Sequence, residues 1–147
     1  LDYMKNALEA GEFVQAIEVP KAAPDLHVRS YKISKRYDCD ISALCTGFAI
    51  ALDDEIVREV RLAYGGMAAT VKRATQAEAA IAGQPWTEAT LRAAQAALAR
   101  DFTPLTDLRA SAAYRMTTAS NLLERFWLET RSTNPLPAAA TSVWATA

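Results

Sequence analysis

Apolar and polar positions alternate with a period of two through the first half of the chain and pass to a spacing of three and four in the second. Phe13-Val14-Gln15-Ala16-Ile17-Glu18-Val19 is short and rich in β-branched residues, and Pro20 closes it because proline brings no amide to a ladder. The pattern predicts a strand there. Val28 to Arg36 predicts a second, half-exposed strand running into a basic loop, with Tyr31 and Ile33 facing one way and Lys32 the other. From Ile41 to Leu52 the alternation is one of size. Leu44, Phe48, Ile50 and Leu52 share one face, and Ala43, Cys45, Gly47, Ala49 and Ala51 share the other. Such a strand is expected to be buried on both sides, its small-residue face close to a helix. Asp53-Asp54 then predicts a tight turn into Glu55 to Tyr64, making a hairpin.

Gly65-Gly66 interrupts the strand pattern, and helical spacing follows. A first helix is expected from Arg73 to Ala82, stopped by Gly83 and Pro85. A second is capped by Thr87 and runs through Arg100, with Leu91, Ala94 and Leu98 inward. The third and longest runs from Leu108 to Arg131, with Ala112, Met116, Ala119, Leu123 and Phe126 on its apolar stripe. Residues 132–147, beginning Ser132-Thr133-Asn134-Pro135-Leu136-Pro137, read as an extended tail. Strands followed by helices imply an α+β fold, with helices on one face of a mainly antiparallel sheet.

The balance of charge narrows the function classes. Sixteen Lys and Arg against seventeen Asp and Glu leave a net charge of −1, too little to draw the chain to nucleic acid or to a membrane surface. The longest apolar stretch, Ala43 to Leu52, is about half of the roughly 20 residues a spanning helix needs. Cys39 and Cys45 lack metal-ligand spacing, and two scattered thiols fit a reducing, cytoplasmic setting. The opening Leu1-Asp2-Tyr3-Met4 has neither a start methionine nor the order of a signal peptide, so the chain is expected to be part of something longer.

Few residues here suggest chemistry of their own. His27 is the single histidine and stands in no nucleophile context, so it reads as a strand-end residue. Cys39 and Cys45 read as small packing residues. Gly65-Gly66 lacks both phosphate-loop patterns and reads as a turn. Asp101 and Asp107 do not suggest an acid-base pair, and neither catalytic residue nor metal ligand is expected. Lys32, Lys35 and Arg36, followed by Asp38 and Asp40, have two readings. They form either a solvated edge that discourages aggregation, or a cation at a strand end that meets a carbonyl-rich or anionic cofactor.

Tyr31-Lys32-Ile33-Ser34-Lys35-Arg36-Tyr37-Asp38-Cys39-Asp40-Ile41 resembles the segment opening the C-terminal domain of the flavoprotein part of xanthine dehydrogenases. It is joined in order by Gly11-Glu12-Phe13-Val14, Ile17-Glu18-Val19-Pro20, Tyr64-Gly65-Gly66-Met67-Ala68, Asp101-Phe102-Thr103-Pro104, Arg109-Ala110-Ser111 and Tyr114-Arg115. The wider family is that of CO dehydrogenase flavoprotein C-terminal domains. It implies an α+β fold with three to four antiparallel strands against three helices. The expected division is a connection from an upstream FAD-binding domain in residues 1–12, the domain itself in 13–131, and the tail.

The resemblance further implies a parent with two [2Fe-2S] clusters and FAD, partnered by a large molybdopterin subunit in a heterotetramer. In it, electrons from purine oxidation pass through the clusters to FAD and on to NAD. Lys32 would lie at the flavin, and Val14 would touch the FAD from the joining strand. The loop Ile33, Ser34, Lys35, Arg36, Tyr37, Asp38, Cys39, Asp40 and Ile41 would approach the flavin ring. Tyr37 and Cys39 stand where some relatives carry a further basic and an acidic residue. Lys35-Arg36 before Asp38-Cys39-Asp40-Ile41, and Asp101-Phe102-Thr103-Pro104, favour the xanthine branch over CO dehydrogenase. Outside this class, the competing reading is a stand-alone binding or assembly module whose basic loop meets an acidic partner.

Overall fold

The computed structural model describes residues 4–37 and 41–142. Strands β1 (Leu26–Ile33), β2 (Leu44–Asp53), β3 (Ile56–Gly65) and the short β4 (Lys72–Arg73) form one antiparallel sheet in the order β1-β2-β3-β4. Helices α1 (Thr75–Ile81), α2 (Glu88–Asp101) and α3 (Ala112–Thr130) follow, and a 3-10 turn occupies Ala138–Thr141. The α+β architecture agrees with the sequence pattern.

Size alternation decides which side of the sheet is covered. Leu44, Phe48 and Ile50 of β2 are fully buried beside Tyr31 of β1 and Leu62 and Tyr64 of β3, and the helices pack over them. Phe48 is the hub. Its ring lies 6.0 Å from Tyr31, 5.0 Å from Tyr64 and 5.4 Å from Phe126 of α3, all in edge or tilted arrangements. The small-residue side differs from expectation. Gly47 is exposed and Cys45 and Ala49 are only half-buried, because all three helices pack on the large-residue face. Ala43 and Ala51, at the two ends of that side, are buried, Ala51 next to a register shift that brings both Val57 and Val60 to the core.

The hairpin forms as the sequence predicts, with both turn residues, Asp54 and Glu55, at positive φ (45° and 69°). The strand expected over Phe13–Val19 does not form. Phe13, Val14, Ile17 and Val19 are exposed, and among the described residues nothing pairs with that segment. A period-two pattern specifies a strand only when a neighbour supplies the ladder.

Each helix takes its ends from a specific contact. Thr87 caps α2 by accepting from the Thr90 amide at 3.4 Å, as its sequence suggests. α1 has no cap of its own, since Ala74 precedes it. The carboxylate of Asp101, at the end of α2, accepts the Gln76 and Ala77 amides at 2.9 Å each and satisfies that helix start from outside. α3 begins at Ala112 instead of near Leu108. Asp107 holds the Arg109 and Ala110 amides in a turn, so that Ser111 becomes the cap. Its buried face is Arg115, Ala119, Leu122, Leu123, Phe126 and Thr130, with Met116 only partly covered. The tail folds back through Leu136 N–H to Leu128 C=O at 2.7 Å.

Candidate functional site

Lys32 sits one residue from the end of β1, opposite Cys45, and so belongs to the side of the sheet without helices. Its ammonium donates to Ser42 Oγ at 2.7 Å, and the Ala43 amide donates to the Ile33 carbonyl at 2.8 Å. These bonds close the neck of the loop that leaves β1 and returns to β2. Around Lys32 the surface is made of small residues. A Cβ placed on Gly47 would meet nothing within 4 Å, whereas one on Gly65 would come within 2.5 Å of the Cys45 sulfur. Cys45 is thus a packing neighbour of Gly65. His27 is exposed on the outer strand, and among the described residues no group of His, Cys, Asp and Glu could hold a metal ion.

The strand that carries Lys32 is tied to α3 through Glu129. Its carboxylate accepts from Tyr31 Oη at 2.9 Å, Arg29 Nε at 3.1 Å and Arg125 Nε at 2.7 Å. Arg125 also lies over the Tyr31 ring at 4.8 Å. Burial pushes the Glu129 pKa up, but these donors, Arg125 foremost, outweigh it and hold the group below its usual range. Burial and the bond to Glu129 push the Tyr31 phenol up, so it stays a neutral donor.

On the helical side of the neck two open clefts adjoin. One of about 500 Å³ lies among Ile33, Ser34, Lys35, Ala43, Thr106 and Tyr114. The other, about 730 Å³, lies among Ile41, Ser42, Met67, Leu105 and Arg115. Asp107 and Arg109 line both. Lys35 crosses to this side and donates to the Leu108 carbonyl at 2.6 Å. Of the residues singled out from sequence, the structure brings Lys32, Ile33, Ser34, Lys35 and Ile41 to this one end of the sheet. Neither Lys32 nor Val14 lines either of these two clefts, and Val14 is exposed on the N-terminal segment. Arg36 and Tyr37 are exposed in the loop, while Asp38, Cys39 and Asp40 lie outside the described residues.

Sequence reasoning quoted Arg115 only within the resemblance and gave neither it nor Asp107 a place at the neck. Arg115 is buried on the first turn of α3 and donates through Nη2 to Asp107 Oδ1 at 2.8 Å. The one available signal was a charged residue on the apolar stripe, four before Ala119 and eleven before Phe126. The Arg109 amide, then the Ala110 amide and the Arg115 guanidinium, hold Asp107 down to about 2, against a smaller opposing effect of desolvation. A carboxyl depressed on folding contributes stability above its unfolded pKa of about 3.9 and loses it as pH falls toward 2. Asp107→Asn keeps the turn's acceptor but not the charge. Its stability deficit against the natural chain is therefore expected to be nearly full above about pH 4, to shrink as pH falls and to vanish only below about pH 2, as read by denaturant titrations at several pH values. A deficit constant across that range would show that the charge contributes nothing.

Helices on one face of an antiparallel sheet, and a basic strand end on the open face, define an α+β domain. Residues 29–130 match the model of the CO dehydrogenase flavoprotein C-terminal domain, and the chain belongs to that family. It is 35% identical over 132 residues to the nicotinate hydroxylase hnxS of Emericella nidulans, covering 85% of this chain and 10% of that protein. It is 34% identical over 103 residues to the xanthine dehydrogenase of the same organism, covering 68% of this chain and 8% of that one. A solved carbon monoxide dehydrogenase from Hydrogenophaga pseudoflava, lacking the Mo-pyranopterin moiety of its molybdenum cofactor, superposes with a TM-score of 0.67 at 27% identity over 73% of this chain and 37% of its own. The chain thus spans about a tenth of the length of the curated relatives it matches.

Proposed function

We propose that this chain is the C-terminal domain of the FAD-bearing part of a molybdenum hydroxylase that oxidises a nitrogen heterocycle, xanthine in the first reading. What carries the reading is family membership, combined with likeness to two heterocycle-oxidising enzymes. A second substrate, nicotinate, is favoured by the longer match to the nicotinate hydroxylase. The choice between them belongs to the molybdopterin subunit. Other partners in this reading are upstream FAD-binding and [2Fe-2S] domains and NAD, in a cytoplasmic heterotetramer.

The residues present fit one wall of a flavin site. Lys32 offers a cation at a strand end, on a face whose small side chains leave room for a flat group. Bound FAD would supply a two-electron carrier between the iron-sulfur clusters and NAD. This chain's part is to hold Lys32 toward the cofactor's polar edge, to set the loop of residues 33–41 beside it, and to exclude water from that side. Val14 would add an apolar contact from the joining strand, whose exposed Phe13, Val14, Ile17 and Val19 suit a segment that pairs within the upstream domain.

Cofactor pockets formed between domains are seldom retained by one half alone. The chain by itself is expected to emerge colourless from gel filtration after incubation with FAD. The full-length parent should carry FAD and molybdenum, and should oxidise xanthine or nicotinate with an artificial acceptor. A parent purified without flavin or molybdenum would end the reading.

A further inference from the structure

We propose that Arg115 is the positioning residue for the neck of the loop beside Lys32, and that Asp107 and Gly66 complete the clamp. The proposal rests on the reading that this neck borders the flavin. Three segments distant in sequence converge on one guanidinium. Nη1 donates to the carbonyls of Ala43 and, at 2.7 Å, Gly66, while Nη2 donates to Asp107 at 2.8 Å. The β2–β3 ladder ends at the pair Cys45–Gly65. Just past that pair the two strands are joined by the arginine fork in place of a backbone bond. Gly66 is required by this approach. Its φ is +84°, and a Cβ there would lie 2.7 Å from the Ala43 oxygen and 2.9 Å from Arg115 Nη1.

The clamp reaches Lys32 in two short steps. Ala43, held by Arg115 at its carbonyl, donates its amide to Ile33, the residue after Lys32, and its neighbour Ser42 accepts from Lys32 itself. On the other side of the turn, Leu108 follows Asp107 and receives Lys35. Both ends of the loop are thereby referred to the Asp107 turn. Arg115 Nε is buried without a hydrogen-bond partner among the described residues. The side chain is placed for its two terminal nitrogens, and an unsatisfied donor persists where other contacts fix the geometry.

The test uses the full-length parent with Arg115→Met and Arg115→Lys. Leu91→Ala, a core truncation on α2 away from the neck, controls for general destabilisation. Asp107→Asn serves if the arginine variants fail to fold. Amide hydrogen exchange at residues 42–44 and 33–35 should rise at least tenfold more in Arg115→Met than in Leu91→Ala at matched loss of Tm, with Arg115→Lys and Asp107→Asn intermediate. Flavin content or fluorescence should change alongside. Faster exchange at the neck with an unaltered flavin would uphold the clamp and discard the flavin-wall reading. Exchange at the neck no faster than in the Leu91→Ala control would overturn the clamp.

Discussion

Phe126→Ala should lower the unfolding free energy of the chain by roughly 3–5 kcal/mol, the usual cost of emptying a buried aromatic site. Phe126 is fully buried on α3, with its ring 5.4 Å from Phe48 at the centre of the sheet and 6.3 Å from Trp86 at the entry to α2. It therefore joins the sheet, α3 and the segment before α2 in one contact set. The surroundings are poorly able to collapse into the space. Phe48 is pinned by Tyr31 and Tyr64 as well, and the Trp86 indole N–H donates to Thr130 Oγ1 at 2.9 Å one turn along α3. That favours the upper part of the range. A urea titration should show a lower midpoint at unchanged slope. An unmoved midpoint would mean that this face of α3 is not what holds helix to sheet.

Phe126 was legible because a long amphipathic helix repeats its signal over five turns. The β2–β3 hairpin was legible for a related reason, since its alternation runs through ten residues on each side of a two-residue turn. What the sequence could not specify were relations between distant residues. The small side of β2 gives the same pattern whether it meets a helix or lies open, and here it lies open. Phe13–Val19 has the composition of a strand, but pairing depends on a partner that the described residues do not provide. The start of α1 depends on Asp101, about 25 residues later, which a search for a local cap cannot find. The same holds for the neck beside Lys32. Its cations were visible as a cluster, while the residue that fixes their place, Arg115, stood inside a helix stripe and looked like an interruption of it. Resemblance supplied the family, and the placement of Lys32 toward a flavin is a proposal that geometry accommodates.

Lys32→Ala in the full-length parent should weaken FAD retention or slow flavin-linked reduction of NAD by roughly one to two orders of magnitude, while sparing oxidation of the heterocycle at molybdenum. A charge-assisted hydrogen bond contributes about 1.5–3 kcal/mol, and each 1.36 kcal/mol is about tenfold. The selectivity carries the argument. Lys32 also donates to Ser42 Oγ at 2.7 Å, so its loss could loosen the neck as well as remove a cation. Ser42→Ala separates the two effects, because it removes the neck bond and leaves the ammonium. Lys21→Ala removes the same charge from an exposed spacer. If the ammonium meets the cofactor, Lys32→Ala should fall well below both controls in flavin content or NAD reduction, and all three should match the natural protein with an artificial acceptor that bypasses flavin. If Lys32→Ala equals Ser42→Ala, the lysine acts through the neck alone. If it equals Lys21→Ala, the basic strand end is a solvated edge and has no part in holding the flavin.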